Sequence, residues 1–314
     1  MRLGVLDVGS NTVHLLVVDA HRGAHPWPAH SEKAVLRLAE QLTPDGALPE
    51  TAADALVEAV GTARASATAL EVDQLLAFAT SAVRDATNSA QVLARVQETT
   101  GVRLEVLSGA DEARMTFLAV RRWFGWSAGR LLVLDIGGGS LEIAAGVDED
   151  PDVAVSLPLG AGRLTRDRLV VDPQSAVPPG PQVVQELQEY VDSLLDPVVE
   201  QLAEVSWERP VATSKTFRTL ARLAGAAPSG AGIWTRRRLT RGGLRQVLGF
   251  IRHIAPAQLA ELDGVSAARA HQLLAGAVVA ESVMRRLGVD SLDICPWALR
   301  EGVILDRLDR LAPE

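Results

Sequence analysis

Residues 131–143 have the sequence LLVLDIGGGSLEI, in which an apolar run is followed by an acid and three consecutive glycines. The run predicts a buried strand that ends near Asp135, and the apolar residues after Ser140 predict a second strand. Glycines let backbone N–H groups approach a ligand, and consecutive N–H groups pointing into one concavity form an anion nest. Mg²⁺ prefers one or two carboxylates together with phosphate oxygens. The segment therefore predicts a phosphate-binding and Mg²⁺-binding loop, although a glycine-rich hairpin without a ligand would have a similar sequence.

The same pattern occurs near the start of the chain. Residues 3–17 (LGVLDVGSNTVHLLV) again consist of an apolar run, an acid, a glycine turn and a second apolar run, and LDVG at 6–9 matches LDIG at 134–137. The separation is too long for a solenoid or propeller repeat, so a duplicated domain is indicated. Two such copies facing each other across a cleft would present two phosphate loops and two aspartates to one ligand, which disfavours a hairpin without a ligand.

The composition restricts the classes of protein. A chain of 314 residues with 47% apolar residues predicts two hydrophobic cores. Its net charge of −8 argues against a nucleic-acid-binding protein, and the longest apolar runs are too short for a membrane helix. Asp7 interrupts what would be the apolar part of a signal peptide, and the single cysteine, Cys295, excludes an internal disulfide. We therefore expect a cytoplasmic protein without membrane or nucleic-acid partners, and leave homodimer formation open.

Strands alternate with helices in both halves of the sequence, which predicts an α/β fold. We place the first domain at 1–126 and the second at 127–298, followed by a last helix at 299–314. Within the second domain we expect a glycine turn at 159–165, a helix at 183–204 broken or kinked at Pro197, and a long helix capped by Ser266.

Other known site patterns are absent from the sequence. No P-loop motif occurs, and no cysteine pair or closely spaced histidines predict a zinc site. The six histidines are scattered, at positions 14, 21, 25, 30, 253 and 271. Only His14 lies near a predicted phosphate loop, and its position on a strand favours a core or hydrogen-bonding role.

Glu112 is the best candidate for a general base. It follows a Ser-Gly turn at a predicted helix start, and phosphate hydrolysis requires a group that orients and deprotonates water. An acid at a helix start is also favoured by the helix dipole alone, so this purely structural role remains an alternative. Arg84 lies in a polar turn after a buried strand, where a phosphate clamp and a solvated surface arginine are equally plausible.

Five motifs in a fixed order carry a family resemblance. They are LDVGSNT at 6–12, ATSAVRDATN at 79–88, SGADEAR at 108–114, DIGGGSLE at 135–142 and LREG at 299–302. Together they resemble the exopolyphosphatase / guanosine pentaphosphate phosphatase (Ppx/GppA) family over essentially the whole chain, and most closely its short, two-domain actinobacterial exopolyphosphatases.

The resemblance implies a duplicated, actin-like (ribonuclease-H-type) α/β fold with a central cleft, in which the last helix, 299–314, packs back on the first domain. It also implies hydrolysis of the terminal phosphate of inorganic polyphosphate, or of the alarmone pppGpp to ppGpp, with Mg²⁺ or Mn²⁺. By motif position, Glu112 would be the base, while Asp135, Glu142 and Asp7 would hold the metal region. The phosphate-binding residues would be Gly9, Ser10, Asn11, Arg84, Gly137, Gly138, Gly139 and Ser140.

The sequence departs from the family pattern at three places. These departures affect the expected substrate preference more than the expected chemistry. Lys215 stands where glycine is usual in a Ser-Gly-Thr turn, Pro296-Trp297 replaces small residues, and His14 replaces a common arginine. Because 314 residues leave no room for the additional helical domains of long family members, we expect a preference for short polyphosphates. The alternatives are a pppGpp phosphohydrolase, an ATPase of the same superfold, which the Arg84 and Glu112 motifs disfavour, and a non-catalytic polyphosphate or alarmone sensor.

Overall fold

The computed structural model describes residues 1–21, 26–169, 175 and 177–311. His25 and part of the proline-rich segment 172–182 lie outside these residues. Among the described helices, none combines the length and the apolar character that a membrane crossing requires. The chain divides into two compact units, Met1–Ala119 with Leu299–Glu314 (unit 1) and Val120–Ala298 (unit 2). This division falls inside a helix, whereas the sequence-based boundary was placed after residue 126.

Unit 1 contains a five-stranded sheet. Its strands are β1 (Arg2–Val8), β2 (Thr12–Asp19), β3 (Pro28–Val35), β4 (Gln74–Ala79) and β5 (Glu105–Val106). Their order is β3-β2-β1-β4-β5, with antiparallel pairs among β1, β2 and β3 and parallel pairs of β4 with β1 and β5. The first two strands are almost fully buried, because both faces of the sheet are covered. Edge strand β3 alternates between exposed and half-buried residues, which suits an edge that must not pair further.

Helices connect or follow the strands of this sheet along the chain. They are α1 (Leu38–Gln41), α2 (Glu50–Ala69), α3 (Ser81–Arg84), α4 (Ser89–Thr100) and α5 (Gly109–Phe124). Leu56 and Val60 of α2 and Val92 and Val96 of α4 enter the same apolar core as strands β1 and β2. Helix α5 begins after Ser108, whose Oγ accepts a hydrogen bond of 3.1 Å from the N–H of Asp111. Ser108 therefore caps the helix that carries Glu112.

Unit 2 contains a six-stranded sheet with the same core topology. Its strands are β6 (Leu131–Ile136), β7 (Leu141–Gly146), β8 (Val153–Leu157), β9 (Arg209–Thr213), β10 (Arg238–Thr240) and β11 (Ser291–Ile294). From one edge the order is β8-β7-β6-β9-β11-β10, and the first five strands have the same relative directions as β3-β2-β1-β4-β5. The predicted duplicated α/β fold of the ribonuclease-H type is confirmed, with β10 as an additional edge strand.

The helices of unit 2 pack around one nearly fully buried helix. They are α6 (Ala161–Leu164), α7 (Pro181–Gln201), α8 (Ser214–Leu223), α9 (Arg241–Ile251), α10 (Pro256–Leu259) and α11 (Leu273–Arg286). Every residue of α11 from Leu273 to Met284 is buried, as expected of a helix enclosed on all sides. Short 3₁₀ turns occur at Trp126–Ala128, Ser229–Ala231 and Ala267–Gln272, and a π-helical turn at Thr165–Leu169.

The local predictions for unit 2 differ from the structure at three places. The expected glycine turn at 159–165 contains the whole of the short helix α6, which Gly160 and Gly162 allow to pack on the glycine loop. Helix α7 continues across Pro197, so the proline does not break it, and the alternative of a kink stays a prediction. Ser266 makes no side-chain cap, because a 3₁₀ turn separates it from α11.

The last helix, α12 (Leu299–Asp309), belongs to unit 1. Its Ile304 and Leu308 join Leu3, Val5 and other residues in a second apolar cluster of that unit. Gly302 makes the closest contact, because a Cβ built there would lie 1.9 Å from the carbonyl oxygen of Met115. Glycine at 302 is therefore required for α12 to approach α5.

Candidate functional site

The glycine loop of unit 2 is fixed from one side by the start of helix α6. The N–H of Ala161 donates to Gly137 O at 3.0 Å, the N–H of Arg163 donates to Gly138 O at 2.9 Å, and Arg163 Nε donates to Gly139 O at 2.9 Å. The backbone N–H groups of Gly138 and Gly139 donate no hydrogen bond to any of the described residues. The loop thus has its carbonyl groups satisfied and N–H groups available, which is the composition of an anion nest.

Glycine at position 160 permits this packing. An added Cβ would lie 2.2 Å from the carbonyl carbon of Gly139 and 2.3 Å from the nitrogen of Ser140. Such distances exclude any side chain at Gly160. The sequence analysis treated this glycine only as part of a turn, since the contact joins segments that are distant along the chain.

Two carboxylates lie beside this loop. Asp135 and Glu142 are opposite each other in the antiparallel pair β6–β7, so their side chains share one face of the sheet. Glu142 is buried, and its Oε1 accepts a hydrogen bond of 2.8 Å from Ser156 Oγ. Ser156 was not identified from the sequence, which contains no motif around it.

These oxygen donors are compatible with Mg²⁺. Within the ranges that the structure describes, no three His, Cys, Asp or Glu side chains converge as a metal cage. Mg²⁺ is commonly held by one or two carboxylates, with the remaining positions filled by water and phosphate oxygens. Asp135 and Glu142 match this pattern.

The glycine turn of unit 1 repeats the geometry of the turn in unit 2. The N–H of Gly9 donates to Thr12 O at 3.0 Å, as the N–H of Gly137 donates to Ser140 O at 2.9 Å. Ser10 and Asn11 are buried, and Ser10 Oγ is 2.9 Å from Ser81 Oγ. The motif around Ser81 is therefore joined to the first glycine turn.

Asp7 has a different environment from Asp135. Arg300 of α12 donates from Nη1 to Asp7 Oδ2 at 2.9 Å, and the residue opposite Asp7 in the β1–β2 pair is His14 instead of a carboxylate. A metal-binding role for Asp7 stays a prediction. In the structure, the positively charged group beside Asp7 is the guanidinium of Arg300. Arg300 belongs to the LREG motif, but its partner Asp7 is separated from it by almost the whole length of the sequence. The contact could therefore not be inferred from the motif.

His14 is held in its neutral form. Burial, together with the positive charges of Arg300 and Lys33, lowers the pKa of His14 from 6.5 to about 3. His14 Nε2 is 2.8 Å from Ser31 Oγ on β3. The hydrogen-bonding role expected for His14 agrees with this contact.

Glu112 and Arg84 form an ion pair in unit 1. Arg84 Nη1 donates to Glu112 Oε1 and, at 3.1 Å, to Leu107 O, while its Nε donates to Asp85 Oδ1 at 3.0 Å. Burial acts to lower the pKa of Arg84, but the charges of Glu112 and Asp85 outweigh it and raise that pKa. Glu112 is only 6% exposed and lies in the first turn of α5, so both its role as a base and its role as a helix-start acid stay predictions.

The site residues thus fall into two groups, each described within its own unit. In unit 1 the structure brings Arg84 to Glu112, Ser10 to Ser81 and Asp7 to Arg300. In unit 2 it brings Glu142 to Ser156 and the glycine loop to Arg163. The first group offers a carboxylate held by an arginine, and the second offers a nest beside two carboxylates.

Comparisons with known proteins identify the family to which the chain belongs. The sequence matches the Ppx/GppA phosphatase family over residues 17–311. It is 58% identical over 310 residues to Exopolyphosphatase 1 of Mycobacterium tuberculosis, covering 98% of this chain and 89% of that protein. Exopolyphosphatase 1 of Mycobacterium leprae is also 58% identical over 310 residues, with 98% and 90% coverage.

Solved structures share the fold. The crystal structure of an exopolyphosphatase from Cytophaga hutchinsonii is similar with a TM-score of 0.88 at 24% identity, covering 99% of each chain. The Ppx/GppA family member of Aquifex aeolicus is similar with a TM-score of 0.80 at 23% identity, again covering 99% of each chain.

Proposed function

Because this chain belongs to the Ppx/GppA phosphatase family, we propose that it is an exopolyphosphatase, which releases terminal orthophosphate from inorganic polyphosphate. The observation that carries the proposal is the 58% identity, over 98% of the chain, to mycobacterial proteins named Exopolyphosphatase 1. The nest at Gly138 and Gly139 and the buried Glu112 supply groups that hydrolysis of a phosphoanhydride requires.

Glu112 is the proposed general base. A base must hold a water molecule in a fixed direction and accept its proton, and a buried carboxylate on a capped helix is suited to both tasks. Arg84 is the proposed phosphate ligand, because its guanidinium can bind phosphoryl oxygens in a bidentate manner. When phosphate engages Arg84, the ion pair with Glu112 weakens and the carboxylate becomes available to water.

Asp135 and Glu142 are the proposed holders of Mg²⁺, or of Mn²⁺ in its place. The ion would neutralise negative charge on the phosphoryl oxygens, which is the main demand of phosphoryl transfer. Ser156 would keep the carboxylate of Glu142 in its orientation, and the N–H groups of the glycine loop would bind phosphate oxygens.

The second candidate is hydrolysis of pppGpp to ppGpp. It is favoured by the name of the family, which covers both kinds of phosphatase, and it would use the same groups. A protein that only binds polyphosphate or alarmones would not require a general base, which is the role proposed for the buried Glu112.

Orthophosphate release distinguishes these functions. Purified protein is assayed with tripolyphosphate, long-chain polyphosphate, pppGpp and ATP, each with Mg²⁺, with Mn²⁺ and with excess chelator. We expect metal-dependent turnover with polyphosphate as the best substrate and short chains preferred over long ones. A higher kcat/KM for pppGpp would assign the second function, and binding without turnover of any substrate would contradict both.

A further inference from the structure

The start of helix α8 borders a pocket in unit 2 that has a marked positive charge. Its lining includes Ala161, Lys215, Thr216, Arg269 and Gln272. Among the described residues that border it, two are cationic and none is Asp or Glu. A small pocket with this charge and with hydroxyl and amide donors is suited to an oxyanion.

Lys215 lies among other positive charges. Its side chain remains exposed to solvent, yet partial burial of the ammonium group, followed by the positive charges of Arg218 and Arg269, lowers the pKa of Lys215. Like charges held together destabilise one another, and an anion among them removes that repulsion. An anion at this place would therefore be attracted by these positive charges.

The backbone directly before Lys215 adopts a conformation that is unusual for its residue type. Ser214 has a φ of 85°, in the left-handed region that favours glycine. Arg218 Nε donates to Ser214 O at 3.1 Å, and the N–H of Phe217 donates to Ser214 Oγ at 3.3 Å. Such strain persists where surrounding contacts impose it, and it is concentrated at binding sites.

The pocket adjoins the glycine loop within the same unit. Ala161, which lines the pocket, donates its N–H to Gly137 O at 3.0 Å. A Cβ at Gly162 would lie 3.1 Å from Gly138 O and 3.2 Å from Gln272 Nε2, so this glycine contacts both the loop and the pocket lining. A chain of phosphates that occupied the loop could continue into the pocket.

We propose that Lys215 and Arg269 form a second oxyanion subsite, which binds phosphoryl groups of a polyphosphate chain beyond the one that is cleaved. This inference rests on the proposed function and makes Lys215 a determinant of chain-length preference. Since Lys215 stands where the family pattern has glycine, it adds a cationic ligand to this part of the chain.

The test measures kcat/KM for a series of substrates from pyrophosphate through tripolyphosphate to pentapolyphosphate and longer chains, with pppGpp in parallel. The variants are Lys215→Met and Lys215→Arg. The control is Arg252→Met, which also removes one exposed positive charge from unit 2. Thermal unfolding checks that each variant folds. Binding of pentapolyphosphate is measured in the Glu112→Gln background, so that this readout does not depend on turnover.

We expect Lys215→Met to match the parent on the shortest hydrolysed chain and to fall behind by roughly tenfold or more once the chain is long enough to reach the pocket. Lys215→Arg should restore much of the loss, and Arg252→Met should behave as the parent. Three results would overturn the subsite: kcat/KM of Lys215→Met falls equally at every chain length, it falls at no length, or it falls only with pppGpp. If the parent hydrolyses no polyphosphate while binding still depends on Lys215, the proposed function fails and the subsite stands.

Discussion

Arg300 and Asp7, which lie almost at opposite ends of the sequence, form an ion pair in which Arg300 Nη1 is 2.9 Å from Asp7 Oδ2. Both side chains are mostly buried, with 24% and 14% exposure, and Arg300 Nε is buried without a hydrogen-bond partner among the described residues. The pair connects α12 to the end of β1, directly before the glycine turn of unit 1. It is therefore a structural contact beside a proposed phosphate loop.

We predict that Arg300→Met lowers the free energy of unfolding by about 1–3 kcal/mol, because Asp7 then keeps a partly buried charge without its partner. Asp7→Asn should also destabilise, and the double variant should lose less than the sum of the two. Urea unfolding of the four proteins measures this coupling energy. A coupling below about 0.3 kcal/mol, within the range of independent sites, would show that the pair does not contribute to stability.

Glu112→Gln preserves the shape and most hydrogen bonding of the side chain but removes the proton acceptor. If Glu112 is the general base, kcat should fall by roughly 10²–10⁴ while substrate binding survives. The measurement is steady-state orthophosphate release together with equilibrium binding of tripolyphosphate.

Asp111→Asn is the matched control for Glu112→Gln, since Asp111 is the neighbouring acid of the same helix and is about half exposed. It should retain the parent kcat. If Glu112→Gln stays within a factor of about three of the parent, far below the range of general-base catalysis, the base lies elsewhere and Asp111 becomes the next candidate.

Asp135→Asn and Glu142→Gln should each raise the Mg²⁺ concentration required for half-maximal activity, by roughly tenfold or more. Ser156→Ala should have a smaller effect in the same direction, because it removes the donor that orients Glu142. Mn²⁺ binding, followed by electron paramagnetic resonance, provides a readout apart from activity. Asp152→Asn, which changes an exposed acid of unit 2 paired with Arg130, is the control. Unchanged metal affinity in both carboxylate variants would remove them from the metal site.

His14 makes the stability of the protein depend on pH. Its pKa is lowered from an ordinary value of 6.5 to about 3 in the folded protein, so between these values the unfolded state binds the additional proton. The free energy of unfolding therefore falls as pH decreases through this window, by about 2 kcal/mol between pH 6.5 and 5.

His14→Gln removes this contribution, so we expect its stability curve to be flatter than that of the parent over the same window. Urea unfolding at a series of pH values measures the difference, and replacement of the exposed His253 by Gln is the control. Parallel curves for the parent and His14→Gln would show that His14 titrates normally in the folded state.

The duplicated hairpins could be predicted from sequence because their signals are local. Apolar runs that end at Asp7 and Asp135, each followed by glycine, define two strands and the turn between them without reference to the rest of the chain. The helix that carries Glu112 was predictable for the same reason, since Ser108 is a favourable cap.

Other elements depend on contacts that the local sequence does not contain. Strand β3 was not predicted, because half of residues 28–35 are polar or charged and their strand is stabilised by pairing with β2 at an edge. The 3₁₀ turn before α11 has the composition of a helix, and packing determines its geometry. In the site, Arg300 and Ser156 act through contacts made only in the folded chain, so no local pattern could identify their partners.

The membership of α12 in unit 1 has a consequence for the order of folding. Unit 2 is a continuous segment, so all its contacts can form once Ala298 has left the ribosome. Unit 1 is discontinuous, and its contacts between Gly302 and Met115 and between Arg300 and Asp7 must wait until the whole of unit 2 has emerged from the ribosome. Contacts of such long sequence separation form slowly. During synthesis, the main apolar core of unit 1 can form from residues 6–104, whereas its second apolar cluster, which includes Ile304 and Leu308, is completed only after unit 2.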